Sequence, residues 1–290
     1  TALEEGMPLS TMIYSPHRYR SSYLGSGPVS CDGRWCPANA SGAMTGYQTM
    51  WSGFGKSVNT YFVQLQERAG TERVVRMAER LGLRWRTEVD QTMASPSRVH
   101  SWGAFTLGVA DTTPLEMASA YAVGAADGVY CEPLPVLSIK GPDGREVTYR
   151  DERGEEVRVA QPRCRQAVSP GVARAAADAA RCPTGDRPTR GGCGGWSTAS
   201  EVRGIVGRPV AGKTGTTDGN RTAWFVGFTP ELAAASFIAD PDNPFNAVGG
   251  GNASKPIWST AQTLRDALSG RPVRYFEPPP DELVGAYGSR

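Results

Sequence analysis

Apolar residues are spaced in two different ways along this chain. In several stretches they recur every three or four residues, as on one face of an α-helix, which predicts helices over residues 60–69, 71–81, 114–127, 170–180 and 256–268. Towards the C-terminal end the apolar runs are short and bounded by turn signals, which predicts strands over residues 208–217, 223–229 and 232–239. Since only tight turns separate these strands, an antiparallel meander is expected.

Capping residues support several of the helix boundaries. Thr113 and Glu116 flank a proline in the pattern of a capping box, with the proline at the first helical position. Asn59 is predicted to cap the helix over residues 60–69, and Ser169 precedes a proline at the start of the helix over residues 170–180.

Two regions lack this regularity. Residues 7–50 are rich in turn signals, and we expect a long excursion with little regular structure. Residues 133–168 suggest short strands at 136–139 and 147–149 around a Gly-Pro-Asp-Gly turn, followed by a charged run. This second region is interpreted as a solvated insertion that projects from the body.

The order of elements is a helix-rich middle, then antiparallel strands, then a covering helix. This order predicts an α+β fold in which helices cover an antiparallel sheet and one lobe is mostly helical. No internal repeat, phosphate-binding loop or dinucleotide-binding glycine motif is present in the sequence.

Composition narrows the class of protein. The 290 residues are 39% hydrophobic and 21% charged, with a net charge of +2, which is ordinary for a globular protein and gives no indication of nucleic-acid binding. The longest clear apolar run, residues 232–239, has the length of a strand and is too short to span a membrane.

Six cysteines are many for a cytosolic chain of this length. Cys31 and Cys36 are five residues apart, Cys182 and Cys193 bracket a glycine-rich loop, and Cys131 and Cys164 flank the insertion. We favour three disulfides with these pairings, formed in an oxidising compartment. A metal site is the alternative, although the two histidines, His17 and His100, and the cysteine spacing fit zinc poorly. Six free thiols are the remaining possibility.

A single lysine stands out within the predicted meander. The 31 basic residues include only four lysines, and Lys213 lies in the run Lys-Thr-Gly-Thr-Thr, residues 213–217. Lys-Thr-Gly is one of three motifs shared by penicillin-binding proteins and serine β-lactamases. An exposed strand edge rich in lysine and threonine would explain the run equally well if it stood alone.

Three ordered segments resemble the transpeptidase domain of penicillin-binding proteins, most closely the class A, bifunctional branch. They read GKSVNTYFVQLQERAG (residues 55–70), LGVADTTPLEMASAYA (residues 107–122) and AGKTGTTDGNRTAWFVGFTPEL (residues 211–232). The resemblance implies the serine β-lactamase and penicillin-binding-protein fold over residues 1–275, followed by a proline-rich tail or linker over residues 276–290.

The resemblance also implies roles for two residues that open the first segment. Ser57-Val58-Asn59 matches the family's S-x-N motif. Ser57 is expected to pass a proton towards the leaving amine. Asn59 is expected to hydrogen-bond the substrate amide and to help orient the catalytic lysine. Alone, the same residues would be interpreted as a loop serine and a helix cap.

The Lys-Thr-Gly strand is expected to supply the opposite side of the cleft. Lys213 would lie close to Ser57 and favour both carboxylate binding and proton movement. Thr214 and Thr216, on one side of an extended strand, would bind the carboxylate, and the Thr216 N–H would form half of an oxyanion hole. Gly215 would leave the intervening position free of a side chain, and Thr217 completes the predicted substrate-binding run.

One family motif is missing. The residues three positions before the four lysines are Gly53, Leu137, Val210 and Asn252, so the nucleophile motif S-x-x-K is absent. The first residues, TALEEG, are typical of the last turn of a helix stopped by glycine. We therefore expect that the chain is cut after S-x-x-K and lacks the start of the nucleophile helix and the N-terminal strands. On this expectation the 290 residues alone would be inactive.

The predicted function is a peptidoglycan D,D-transpeptidase, which forms an acyl-enzyme at D-Ala-D-Ala and is a covalent target of β-lactams. A D,D-carboxypeptidase, a β-lactamase or a non-catalytic binding module are the alternatives. Expected partners are the stem peptide, β-lactams, the segment carrying S-x-x-K and an upstream glycosyltransferase domain, with no nucleic acid. The expected location is extracytoplasmic, anchored to the bacterial membrane through N-terminal sequence, and no metal or cofactor is predicted.

Overall fold

The computed structural model describes residues 1–285. The helices in this range are α1 (Met50–Lys56), α2 (Asn59–Ala69), α3 (Thr71–Arg80), α4 (Glu88–Ala94), α5 (Pro114–Ala125), α6 (Pro170–Ala180), α7 (Val202–Val206), α8 (Lys255–Ala267) and α9 (Asp281–Val284). The strands are β1 (Ile13–Ser15), β2 (Ser30–Cys31), β3 (Arg34–Trp35), β4 (Gly46–Gln48), β5 (Val129–Cys131), β6 (Thr148–Arg150), β7 (Glu156–Arg158), β8 (Cys164–Gln166), β9 (Ala211–Thr216), β10 (Thr222–Phe228) and β11 (Ala233–Ala239).

The central sheet is the predicted antiparallel meander, in the order β11-β10-β9. Strand side chains alternate between two faces. On one face Phe225 is fully buried with Ile257 and Leu264 of α8. On the other face Phe228 packs against α6 and makes an edge contact with Tyr121 of α5. The sheet is therefore covered by helices on both sides, as the sequence predicted.

A mostly helical lobe adjoins the sheet. Trp51 of α1 and Tyr61 of α2 are fully buried in one core cluster, together with Val58 between them. Glycine permits α1 and α2 to approach closely, since a Cβ at Gly53 would lie 2.9 Å from the Tyr61 ring. The sequence pattern did not predict α1 or α4, whereas the predicted helices correspond to α2, α3, α5, α6 and α8.

Two of the predicted capping arrangements are present. Thr113 and Glu116 form the reciprocal capping box at the start of α5. Ser169 accepts a hydrogen bond from the Val172 N–H at the start of α6. The prediction that Asn59 caps α2 is wrong, because Asn59 is already the first helical residue. Asn39, in the preceding excursion, accepts from the Thr60 N–H at 3.0 Å instead.

The first residues form the predicted helical turn. The Met7 N–H donates to the Ala2 carbonyl at 3.0 Å, and the Gly6 N–H donates to the Leu3 carbonyl at 3.1 Å. With Gly6 at φ 81, these bonds constitute a Schellman motif, in which glycine adopts the left-handed conformation past the last turn. Ala2 and Leu3 are buried in the core of the helical lobe.

All three predicted disulfides are formed, Cys31–Cys36, Cys131–Cys164 and Cys182–Cys193. The Cys131–Cys164 bridge joins β5 to β8 at the base of the insertion. Within the insertion β6 and β7 pair as an almost fully exposed hairpin, which confirms a solvated projection. The predicted strand over residues 136–139 does not form, and this stretch is irregular.

The part of the proline-rich tail that the structure describes packs against the body. Val284 of α9 is buried in the core of the helical lobe. The Leu9 N–H donates to the Leu283 carbonyl at 2.7 Å, and the Ser10 N–H donates to the Val284 carbonyl at 3.2 Å. Residues 276–285 therefore lie on the domain, and the remainder of the predicted tail, 286–290, lies outside the described residues.

Candidate active site

Strand β9 positions the predicted lysine. Gly212 has no room for a side chain, because a Cβ there would lie 2.5 Å from the Val226 carbonyl oxygen. Lys213 pairs with Val226, and Gly215 pairs with Trp224, in regular antiparallel register. The Lys213 side chain reaches Ser57 at the end of α1, and the neighbouring Thr214 hydroxyl contacts Thr198. We call β9 with the following Thr217 the strand wall.

The C-terminal end of α1 positions the predicted serine. Ser57 is the residue that ends the helix, and its backbone is left-handed, at φ 59 and ψ 52. Its N–H donates to the Phe54 carbonyl at 3.2 Å. Residues other than glycine seldom adopt this conformation, since the Cβ crowds the following carbonyl oxygen. We call α1 together with the α1–α2 junction, residues 50–59, the helical wall.

The two walls meet in one hydrogen bond. The Lys213 Nζ donates to the Ser57 Oγ at 2.7 Å and to the Thr214 carbonyl oxygen at 2.8 Å. The ammonium group also lies 5.8 Å from the centre of the Phe54 ring. Half-buried against this apolar neighbour, the group is short of water, and desolvation lowers the pKa of Lys213 from 10.5 to about 8.

The threonines of the strand wall differ in their surroundings. The Thr214 Oγ1 donates to the Thr198 Oγ1 at 3.0 Å, while Thr216 is exposed. The Thr217 Oγ1 accepts from the Thr222 N–H at 2.9 Å, which ties that residue to the turn after β9. A Cβ at Gly215 would meet the Trp224 Cβ at 3.4 Å, an ordinary contact, so packing on that side does not demand glycine.

Asn59 is directed towards the preceding excursion. Its Nδ2 donates to the Ala38 carbonyl oxygen at 2.9 Å. The structure thus brings Ser57 and Lys213 into direct contact, with Thr214 beside them, whereas the hydrogen bond given by the Asn59 side chain is to Ala38.

Sequence reasoning did not single out Thr198 or Phe54. Thr198 lies in a glycine-rich loop with no periodicity to place it, and Phe54 lies in the helix that the pattern missed. The one sequence signal that pointed to this loop was the predicted pairing of Cys182 with Cys193, which brackets part of it.

No helix within residues 1–285 is both long enough and apolar enough to cross a membrane. Among the same residues, His, Cys, Asp and Glu side chains form no cluster of three or more that could hold a metal ion.

Comparisons with known proteins identify the family of the chain. The family described as penicillin binding protein transpeptidase domain matches residues 32–261. Penicillin-binding protein 1A of Neisseria lactamica is 29% identical over 296 residues, covering 98% of this chain and 32% of that protein. Penicillin-binding protein 1A of Aquifex aeolicus is 27% identical over 252 residues, covering 86% of this chain and 30% of that protein.

Solved structures share the fold. The crystal structure of penicillin-binding protein 1A from Haemophilus influenzae has a TM-score of 0.73 and 24% identity, covering 100% of this chain and 44% of that chain. PBPA from Mycobacterium tuberculosis has a TM-score of 0.60 and 22% identity, covering 91% of this chain and 58% of that chain. The predicted α+β fold and the resemblance to the class A branch are confirmed. The chain spans only 32% and 30% of the length of the two curated relatives.

Proposed function

Since the chain belongs to the family of penicillin binding protein transpeptidase domains, we propose that it forms most of a serine-type D-Ala-D-Ala transpeptidase that cross-links peptidoglycan stem peptides. The observation that carries the proposal is the 2.7 Å hydrogen bond between Lys213 and Ser57. It joins two motif residues separated by 156 positions in sequence. An accidental lysine on a strand edge would have no reason to meet the serine of a second motif.

The attacking serine is proposed to come from outside these 290 residues, because no S-x-x-K occurs within them. Its Oγ would form an ester bond with the penultimate D-Ala carbonyl carbon while the peptide C–N bond breaks. The proton lost by the attacking hydroxyl would reach the departing D-Ala amine through Ser57, which Lys213 contacts. An acceptor amine would then attack the ester, and the proton it loses would return to the serine oxygen as the ester bond breaks.

Lys213 and its neighbours would bind the substrate's terminal carboxylate. The Lys213 ammonium supplies a positive charge in a site poor in water, where it acts more strongly than on an open surface. The hydroxyls of Thr214 and Thr216 would donate to the carboxylate, and the Thr216 N–H would contribute to an oxyanion hole. Gly215 and Thr217 complete this strand, and Asn59 would orient the substrate amide after a change of hydrogen-bond partner.

The cellular setting follows from the same proposal. Three disulfides fit an oxidising compartment outside the cytoplasm. We propose that the protein works at the outer side of the bacterial membrane, anchored by sequence outside this chain, with a glycosyltransferase domain upstream. β-Lactams, which mimic D-Ala-D-Ala, would acylate the same serine.

Labelling of the intact gene product with a fluorescent penicillin tests the function. A stable covalent adduct at a serine of an S-x-x-K motif is expected. Rapid turnover of the adduct would instead favour a carboxypeptidase or β-lactamase, and reversible binding alone would contradict every enzymatic assignment. Mapping the labelled peptide adds a second criterion, because label on Ser57 would contradict its role as a proton carrier.

A further inference from the structure

The loop between α6 and α7, residues 181–201, touches both walls of the site. The Cys182–Cys193 disulfide closes its first part. The Ala199 N–H donates to the Pro183 carbonyl at 2.8 Å, so the two ends of the loop are also joined by a backbone hydrogen bond. We call this segment the 181–201 loop.

The loop is seated directly on helix α1. A Cβ at Gly55 would lie 2.9 Å from the Cys182 Cβ. A Cβ at Gly191 would lie 2.8 Å from the Trp51 ring, and one at Gly194 would lie 2.8 Å from the Ser52 Cβ. Gly191 and Gly194 also have positive φ. A Cβ at any of these positions would clash, so the loop packs closely on the helix that ends at Ser57.

Thr198 makes one hydrogen bond to each wall. Its N–H donates to the carbonyl oxygen of Gly55 in α1 at 3.2 Å. Its Oγ1 accepts from the Thr214 Oγ1 in β9 at 3.0 Å. Thr198, which makes both bonds, is half-buried. The backbone of Thr198 is thus fixed on the helical wall while its hydroxyl reaches the strand wall.

We propose that Thr198 is a positioning residue of the site, which holds the Thr214 oxygen in place to meet the carboxylate of the substrate and keeps the strand wall at its distance from the helical wall. The inference rests on the proposed function, in which Thr214 binds that carboxylate.

Hydroxyl chemistry accounts for the role. A threonine hydroxyl has one donor and two acceptor positions. In the structure the Thr214 proton is directed to Thr198. A bound carboxylate can only accept, so Thr214 must turn its proton to the carboxylate. The Thr198 hydroxyl can then reverse its direction and donate to the freed Thr214 oxygen. A chain of two hydroxyls ending on a charged acceptor is stronger than a single neutral hydrogen bond.

The test uses the intact gene product and measures acylation by a fluorescent penicillin over a range of concentrations. Thr198→Val keeps the shape of the side chain and removes the hydroxyl, whereas Thr198→Ser keeps the hydroxyl. Thr198→Val should acylate about tenfold less efficiently, through weaker binding more than through a slower limiting rate. Thr198→Ser should remain within about twofold of the parent. The matched control is Ser200→Ala, an exposed residue of the same loop, which should behave as the parent.

A double-mutant cycle separates positioning from folding. Since Thr198 is proposed to act through Thr214, adding Thr198→Val to Thr214→Val should cost less than about twofold further. A full tenfold loss on the Thr214→Val background would overturn the proposal, as would parent-like acylation by Thr198→Val. An equal loss for Thr198→Ser would also count against it, since the hydroxyl would then be irrelevant.

The proposed function and this inference can fail separately. If the parent binds penicillin without forming an adduct, the enzymatic function fails. The dissociation constants of the same variants then decide the role of Thr198, because orientation of Thr214 affects carboxylate binding whether or not acylation follows. Unchanged dissociation constants in Thr198→Val would refute the role in that case as well.

Discussion

The site residues of the helical wall and of the strand wall reduce the stability of the fold for different physical reasons. Ser57 ends a helix in a left-handed conformation, which costs a residue with a Cβ about 1–2 kcal/mol. Lys213 has the regular backbone of a strand but has lost hydration, as its pKa of about 8 indicates. One cost is conformational and the other electrostatic, so different substitutions relieve them. Site residues commonly reduce stability in this way, and the two walls can be tested independently.

The largest effect is expected on the strand wall. Lys213→Met removes the ammonium group and keeps most of the apolar stem, and acylation of the intact gene product by penicillin should slow by about 10³-fold. Lys140→Met, at an exposed position of the insertion, is the matched control and should acylate as the parent does. A loss of less than about tenfold in Lys213→Met would remove the lysine from the proposed mechanism.

Two substitutions at Ser57 separate the contribution of its hydroxyl to acylation from the conformational cost of its left-handed backbone. Ser57→Ala and Ser57→Gly both delete the hydroxyl, and both should slow acylation by about 10²-fold. Glycine adopts the left-handed conformation without penalty, so Ser57→Gly should be about 1 kcal/mol more stable than Ser57→Ala. Urea unfolding of both variants measures the difference. Equal stabilities would show that the helical wall carries no conformational cost.

The Cys182–Cys193 disulfide should matter to both walls because the 181–201 loop contacts both. Replacing both cysteines by alanine should lower stability by about 3 kcal/mol and slow acylation by about tenfold. The comparison variant removes Cys131–Cys164, at the base of the insertion. It should lose a similar amount of stability and acylate at the parental rate under native conditions. If the two variants acylate equally fast, the loop does not position the site.

The last prediction concerns how stability depends on pH through Lys213 of the strand wall. Folded Lys213 loses its proton near pH 8, whereas unfolded lysine keeps it to about pH 10.5. Between these values the unfolded state binds more protons, so the folded state gains stability as pH rises. The free energy of unfolding of the parent should therefore rise relative to that of Lys213→Met over this range. Urea midpoints at pH 7, 8, 9 and 10 measure the difference, and a constant difference would contradict the desolvation.

The strand wall could be predicted from sequence because its local sequence signals indicate the same strand that the fold contains. Lys213 and Thr214 lie in a run bounded by turn signals, and alternation along an extended strand assigns their faces without tertiary information. The helix at Pro114 was equally predictable, since its cap, its proline and its apolar spacing all indicate the same boundary.

The helical wall could not be predicted in the same way. Helix α1 has two glycines in seven residues, which lowers its helix propensity, and each is required by a close contact with a residue outside the helix. Gly53 faces Tyr61 and Gly55 faces Cys182, and neither neighbour can be inferred from spacing. The place of Thr198 in the site could not be predicted for a similar reason. It depends on hydrogen bonds to Gly55 and Thr214, and no local sequence pattern indicates them.

The pairing of Leu9 and Ser10 with Leu283 and Val284 has a mechanical consequence. It places an early and a late position of the chain side by side, so pulling forces applied through residues 9 and 284 enter and leave the domain at one point. Such a pull is borne first by the two backbone hydrogen bonds that join these segments. The Leu9 carbonyl also accepts a hydrogen bond from the Met50 N–H at 3.0 Å, so the same junction is joined to the start of α1, the helix that ends at Ser57.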